Sequence, residues 1–153
     1  MPSHAEQSFL PHAPARLFDL VADIEAYPEF LPWCVGARII SRQGNVVTAE
    51  LMVGFKMLRE TFTSEVTLDR PHRIDVRYTR GPLKYLNNHW IFRPKGDGTE
   101  IEFFIDFEFK SRLLKRIMEP LFHEAVRRMV AAFAARARAI YAEPGARPAP
   151  QAG

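Results

Sequence analysis

The stretch Ile101-Glu102-Phe103-Phe104-Ile105-Asp106-Phe107-Glu108-Phe109 has the clearest pattern in this chain of 153 residues. Its odd-numbered positions are all isoleucine or phenylalanine, and three of its four even-numbered positions are acidic. Because successive side chains of a β-strand point to opposite faces, this alternation predicts a strand with one apolar face and one mostly acidic face. Another element of the fold has to cover the apolar face.

The segment that follows, Leu113 to Tyr141, is the expected cover. It is rich in good helix formers, and its apolar residues recur at helical spacing. Pro120 lies inside it and predicts a bend, because proline removes a backbone hydrogen bond and clashes with the preceding turn. The predicted apolar side of this helix consists of Leu114, Ile117, Met118, Leu121, Phe122, Ala125, Met129, Ala132, Phe133 and Ile140.

The chain before this stretch reads as one strand, one helix and a series of hairpins. Ser3 to Leu10 predicts the first strand, and Pro14 marks the start of an amphipathic helix. Short turns separate the later strands, which favours antiparallel pairing and an α+β fold with the helices on one face of the sheet. The six later strands are predicted at Val35 to Arg42, Val46 to Lys56, Thr61 to Leu68, Arg73 to Tyr78, Asn88 to Arg93 and Thr99 to Phe109.

Length and composition indicate one ordinary globular domain, assigned to residues 1–142. Residues 143–153 are mostly proline, alanine and glycine, and are predicted to be a disordered tail. The single cysteine, Cys34, cannot form an internal disulfide. Neither a signal peptide nor a membrane-spanning run is visible, so we expect a cytoplasmic protein, peripheral at most to the inner face of the cell membrane.

Basic residues are concentrated near the C-terminus. Residues 110–138 contain eight lysines and arginines against two glutamates, while the whole chain carries a net charge of +3. Such a cluster attracts anionic lipid head groups or phosphates, and the alternative is a helix face that is merely solvated. We take Arg112, Arg116 and Arg127 as candidate contacts to a membrane or to a ribosome.

No arrangement of residues indicates catalysis, a metal site or a bound cofactor. No histidine has a second ligand at a metal-site spacing, and the glycine-rich nucleotide motifs are absent. Cys34 is interpreted as a small buried residue. Asp106 and Glu108 are interpreted as solvent-facing on their strand. His89 is a surface histidine or, in the alternative, a polar group in a ligand pocket.

The many aromatic residues have two interpretations that the pattern alone does not separate. The rings either fill a core or line a cavity, and the pattern by itself favours a filled core.

The stretch Tyr27-Pro28-Glu29-Phe30-Leu31-Pro32-Trp33-Cys34 resembles the signature of the coenzyme Q-binding START-domain family. That family includes the bacterial ribosome association toxins and lies within the polyketide cyclase and lipid transport superfamily. Further pieces match in order, among them Gly81-Pro82-Leu83-Lys84, then Trp90 to Pro94, then Met129 to Phe133.

The resemblance implies a helix-grip fold, in which a curved antiparallel sheet wraps around a long C-terminal helix and encloses an apolar tunnel. It implies ubiquinone or a related polyprenyl lipid as the bound ligand, and a role as a quinone chaperone in respiration or ubiquinone synthesis. It also implies a gate near Phe30 to Trp33 and at Pro120. The tunnel and gate residues are then Phe30, Leu31, Trp33, Phe55, Phe62, Trp90, Phe92, Phe103, Ile105, Phe107, Met118, Phe122, Met129 and Phe133.

The same resemblance leaves two alternative functions. The first is a ribosome-binding toxin that blocks subunit association, which the basic segment would suit. The second is an enzyme of the polyketide cyclase or aromatase kind, which would need polar groups inside the cavity.

Overall fold

The computed structural model describes residues 3–55 and 58–141, so the predicted tail at 143–153 lies outside the described residues. Two 3₁₀ helices, Ile24–Glu29 and Glu119–Leu121, interrupt the regular elements. The strands and α-helices in chain order are β1 (Ser3–Leu10), α1 (Pro14–Ala22), β2 (Cys34–Gln43), β3 (Val46–Phe55), β4 (Leu58–Asp69), β5 (Arg73–Arg80), β6 (Leu83–Lys95), β7 (Gly98–Phe109), α2 (Arg112–Met118) and α3 (Phe122–Ile140).

The strands form one curved antiparallel sheet in the order β1-β7-β6-β5-β4-β3-β2. Strands β2 to β7 follow one another as hairpins. Strand β1 instead pairs with β7, from Ser3 opposite Asp106 to Leu10 opposite Thr99. The predicted α+β helix-grip fold is confirmed.

The alternation in β7 is also confirmed. Ile101, Phe103 and Phe107 are buried on the inner face, and the acidic residues lie on the outer face. Strand pairing continues this inner face across the sheet, because residues directly opposite each other share a face. Phe103 lies opposite Trp90, and Trp90 lies opposite Ile74.

Helices α1 and α3 cover the inner face. The ring of Phe18 in α1 packs edge-on against Phe92 at 5.7 Å between centroids. In α3 the Phe133 ring lies 5.1 Å from Trp90, and the Phe122 ring lies 4.9 Å from Phe107. The predicted apolar cover is therefore α3 together with α1.

Pro120 lies in a 3₁₀ turn that interrupts the helical segment between α2 and α3, and this interruption changes which apolar residues reach the sheet. Ile117, Leu121 and Ile140 were expected on the covering side and are 38%, 39% and 47% exposed. The 3₁₀ turn rotates more per residue than an α-helix, so α3 is out of phase with α2. Val126 and Ala137 are buried instead.

Strand β6 is longer than expected, since it begins at Leu83 and not at Asn88. Pairing with β7 from Leu83 opposite Phe109 holds these additional residues in the sheet. The two asparagines, Asn87 and Asn88, have low strand propensity, so the local sequence does not reveal this part of the strand.

Candidate ligand cavity

A cavity of about 220 Å³ lies between the inner face of the sheet, α1, α3 and the segment 24–34. All the strands from β2 to β7 contribute to its wall, and 22 residues line it. None of these 22 is an aspartate, glutamate, lysine, arginine or histidine. The cavity therefore offers an apolar surface without formal charge.

More than half of the residues that the sequence assigned to the tunnel or gate lie on this wall. They come from β4, β6, β7, α3 and the segment after α1. The residues that line the cavity are Leu31, Trp33, Phe62, Trp90, Phe103, Ile105, Met129 and Phe133.

The other assigned residues lie elsewhere, which differs from the expectation. Phe92 is 1% exposed and is packed beneath α1, and Phe107 and Phe122 pack on each other. Phe30 packs on Phe133 but does not line the cavity. Met118 ends α2, which has no buried residue. Phe55 ends β3, but its side chain lies outside the described part of the chain.

In addition to Tyr27 and Cys34, three polar residues on the sheet side of the wall were not among the predicted site residues. Ser64 in β4 lies opposite Tyr78 in β5. Asn88 in β6 lies opposite Val76, which precedes Tyr78 by two residues in β5. The signal for Ser64 was its place between Phe62 and Val66 on the apolar phase of its strand. The signal for Asn88 was its phase with Trp90 and Phe92.

Arg136 ties the segment 24–34 to α3. Its Nη2 donates to Glu29 Oε1 at 2.7 Å, and its guanidinium carbon lies 5.1 Å from the centre of the Phe30 ring. The Phe30 and Tyr27 rings both pack edge-on against Phe133, at 5.2 and 5.3 Å. The predicted gate segment is thus joined to α3 by an ion pair and by aromatic contacts, whereas Pro120 does not line the cavity.

Two titratable groups on the wall, the Tyr27 phenol and the Cys34 thiol, have a pKa that is shifted toward the neutral form. Burial raises the pKa of the Tyr27 phenol well above its usual range, and the hydroxyl donates to the carbonyl oxygen of Val21. Burial also raises the pKa of the Cys34 thiol, which donates to the Gly36 carbonyl at 3.4 Å. Since only an anionic thiolate is a good nucleophile, the thiol is in an unreactive state near neutral pH.

The Tyr27 phenol predicts a loss of stability at alkaline pH. Its pKa is raised in the folded state, so the stability it contributes is complete below the unfolded-state pKa of about 10 and declines as the pH rises above it. Tyr27→Phe removes this titration and one hydrogen bond, at a cost of about 1 kcal/mol at neutral pH. Urea unfolding at a series of pH values should show the wild type approaching or crossing the variant above pH about 10. If the free energies of unfolding of the two proteins change with pH in parallel, the alkaline loss of stability does not come from Tyr27.

The outer face of the sheet contains the remaining candidates for chemistry. His89 stacks on Phe104 at 5.3 Å and lies 3.6 Å from Glu102, so it is outside the cavity. Glu108 forms an ion pair with Lys84 at 3.2 Å, as expected on the solvent-facing side of a strand. Within residues 3–55 and 58–141, no group of three or more histidine, cysteine, aspartate or glutamate side chains is placed to hold a metal ion.

The basic residues of the C-terminal segment differ in their partners. Arg127 and Arg128 both bind Glu124, at 2.8 and 2.9 Å. In the described part of the chain, no ion pair involves the four cations at and before α2, which are Lys110, Arg112, Lys115 and Arg116.

The same end of the molecule exposes apolar side chains. Leu113 is 65% exposed, and Ile117 and Leu121 follow it at intervals of four residues. We call this surface, formed by residues 110–121, the basic ledge. Among the described residues, no helix has the length and apolar character needed to cross a bilayer.

A curved sheet that grips a long helix around an uncharged apolar cavity defines the helix-grip class of proteins. Residues 10–134 match the family described as polyketide cyclase / dehydrase and lipid transport, and the chain belongs to this family. The resemblance inferred from Tyr27 to Cys34 is thereby confirmed.

The relatives of this chain include proteins with two kinds of name. The chain is 40% identical to "Ribosome association toxin RatA" of Rickettsia prowazekii, over 92% of this chain and 99% of that protein. It is 33% identical to "Coenzyme Q-binding protein COQ10 homolog B, mitochondrial" of Xenopus laevis, over 90% of this chain and 59% of that protein. Among solved structures, the 18 kDa protein CC1736 of Caulobacter crescentus is 42% identical, with a TM-score of 0.74 over 92% of this chain and 99% of that one.

Proposed function

We propose that this protein binds ubiquinone or a related prenylated quinone in its cavity and carries it as a chaperone for respiration or quinone synthesis. The observation that carries the proposal is a cavity of about 220 Å³ whose lining contains no charged side chain. A relative named for coenzyme Q binding supports the choice of ligand.

The physical chemistry of the cavity is consistent with this ligand. Burying apolar surface contributes about 25 cal/mol per Å², so an apolar wall is sufficient for affinity. The cavity is smaller than the roughly 300–1,000 Å³ of ordinary small-molecule pockets. We therefore expect the ring and the first part of the tail to lie inside, while a long tail extends beyond the wall.

Both tryptophans of the chain, Trp33 and Trp90, line the cavity, so fluorescence reports directly on its occupancy. Titration with ubiquinone should quench the emission, and organic extraction of protein purified from a quinone-producing host should release a prenyl lipid. The variants Trp33→Phe and Trp90→Phe should each retain part of the quenching. The proposal fails if no prenyl lipid is extracted and added quinone leaves the emission unchanged.

We propose a carrier and not an enzyme. The groups on the wall that could act as acids or bases are phenols and one thiol, and the raised pKa values of Tyr27 and Cys34 keep both groups protonated near pH 7. General acid–base catalysis works best with a pKa near the operating pH. Neither Tyr27 nor Cys34 is therefore matched to the acid–base steps of a cyclase or aromatase reaction.

Delivery of a lipid requires contact with a membrane, and we place that contact at the basic ledge. The protein then works in the cytoplasm and docks at the inner face of the cell membrane. Four cations that form no ion pair with any described residue surround exposed leucine and isoleucine side chains, and this surface is complementary to an anionic bilayer, which takes up both charge and apolar surface. Arg112 and Arg116 belong to this surface, whereas Arg127 is partly neutralised by Glu124.

The double variant Leu113→Gln/Leu121→Gln should reduce binding to vesicles that contain anionic lipid by about tenfold, because it removes apolar groups that insert. Flotation assays measure this directly. The control Arg127→Ala/Arg128→Ala changes two residues of α3 that lie outside the ledge, and it should bind nearly as well as the wild type. Docking at the ledge is excluded if the control loses as much binding as the double variant.

A ribosome-directed role is the second candidate, and the relative named "Ribosome association toxin RatA" favours it. Binding to RNA phosphates would use the cations of the ledge without its leucines, and would weaken steeply with salt. Sedimentation of ribosomes with added protein separates the two candidates. Loss of the 70S peak, abolished by Lys110→Ala/Arg112→Ala but not by Leu113→Gln/Leu121→Gln, would favour the ribosome.

A further inference from the structure

We infer that Ser64, Tyr78 and Asn88 form a subsite that binds the oxygen atoms of an uncharged ring headgroup. This inference rests on the proposed function and specifies how one part of the ligand is recognised. The three residues lie on neighbouring strands, β4, β5 and β6, and all three line the cavity.

Strand pairing places the three side chains close together. Ser64 and Tyr78 are paired across β4 and β5, next to a register shift between Thr63 and Ser64. Asn88 lies opposite Val76, which puts it diagonal to Tyr78 at roughly 7–8 Å.

Each of the three groups has hydrogen-bonding capacity left for a ligand. The Tyr78 oxygen accepts from the Leu83 N–H at 2.9 Å, which leaves its own proton to donate. The Asn88 Nδ2 donates to the Phe104 carbonyl at 2.7 Å, which fixes the amide and leaves Oδ1 as an acceptor. The Ser64 hydroxyl makes no hydrogen bond to any other described residue.

Tyr78 and Asn88 each have one protein partner, whereas the Ser64 hydroxyl has none among the described residues, so a ligand oxygen at Ser64 adds a hydrogen bond in apolar surroundings. A quinone supplies two carbonyl acceptors for the Ser64 and Tyr78 hydroxyls. A quinol supplies hydroxyl donors for Asn88 Oδ1. The same subsite therefore accepts both redox forms of the ring.

The absence of charge on the wall restricts the class of ligand further. A carboxylate or phosphate headgroup would be buried without a counter-ion, since no lysine, arginine or histidine is among the 22 lining residues. The subsite thus selects a neutral oxygenated headgroup over a fatty acid or a phospholipid.

The variant Ser64→Ala tests the subsite most cleanly, because it breaks no hydrogen bond within the described protein. Titration calorimetry with a short-tailed ubiquinone should show about threefold to tenfold weaker binding, the loss expected for one hydrogen bond. Binding of a prenyl hydrocarbon of the same tail length should be unchanged. Ser41→Ala, an exposed serine on β2, is the matched control and should leave both affinities as in the wild type.

Tyr78→Phe should likewise weaken ubiquinone binding and leave hydrocarbon binding unchanged. Because this variant also removes the acceptor of the Leu83 N–H, its melting temperature should be measured alongside. The subsite is overturned if Ser64→Ala and Tyr78→Phe leave ubiquinone binding unchanged, or weaken ubiquinone and hydrocarbon equally. Palmitate binding as tightly as ubiquinone would also overturn it. If the wild type binds neither ubiquinone nor hydrocarbon, the proposed function itself fails.

Discussion

The variant Val76→Trp is expected to lose retention of ubiquinone altogether while keeping the fold. Val76 lies at the middle of the concave wall, between Val66 and Asn88 across the sheet, and lines the cavity. The larger ring would occupy a substantial part of about 220 Å³. Because the void receives it, the usual overpacking cost of about 1–3 kcal/mol should be reduced.

Extraction of co-purified lipid and titration with a short-tailed ubiquinone measure the effect of Val76→Trp. The matched control is Thr79→Trp, which places the same ring on the exposed face of the same strand. The control should bind ubiquinone like the wild type. If Val76→Trp folds normally and still binds, the ligand site is not this cavity.

The second large effect is expected from Phe133→Ala. The Phe133 ring is 5% exposed and lies within 5.3 Å of the rings of Tyr27, Phe30 and Trp90. Its removal should lower the free energy of unfolding by about 3–5 kcal/mol and release the segment 24–34 from α3. Ligand affinity should fall as well, since both the ring and this segment contribute to the cavity wall.

Phe107→Ala is the matched control for this prediction. The Phe107 ring is 8% exposed and packs on Phe122 and Phe109, but it does not line the cavity. Phe107→Ala should lower the free energy of unfolding, measured with urea, by a similar amount. Its affinity for ubiquinone should nevertheless stay close to that of the wild type. Equal loss of affinity in the two variants would show that stability alone determines binding.

The elements that could be predicted from the sequence are those whose pattern is local. Strand β1 was predicted with both of its bounds, Ser3 and Leu10, and α1 was predicted with its first residue, Pro14. The residues before Asn88 in β6 could not be predicted, because their place depends on pairing with β7. The side of α3 that covers the sheet differs from the predicted side because a short 3₁₀ turn at Pro120 changes the helical phase.

The candidate site also contains features that a local pattern predicts and features that depend on contacts distant in the sequence. The inward phase of a strand is visible in the sequence, so Trp90, Phe103 and Ile105 were placed correctly on the inner face. Whether an inward residue meets a void or another ring depends on which helix lies above it. Phe92 lies beneath α1 and belongs to the filled core, whereas Trp90, two residues earlier on the same face, meets the cavity.

The pairing of β1 with β7 determines when the cavity can first form during biosynthesis. Ser3 pairs with Asp106 only after β7 has been made, and the part of the cover that α3 provides is made last. A partly synthesised chain therefore has an open apolar sheet face and no enclosed site. Closure of the cavity therefore follows the synthesis of α3, and until then the growing chain exposes the apolar surface that later lines the cavity.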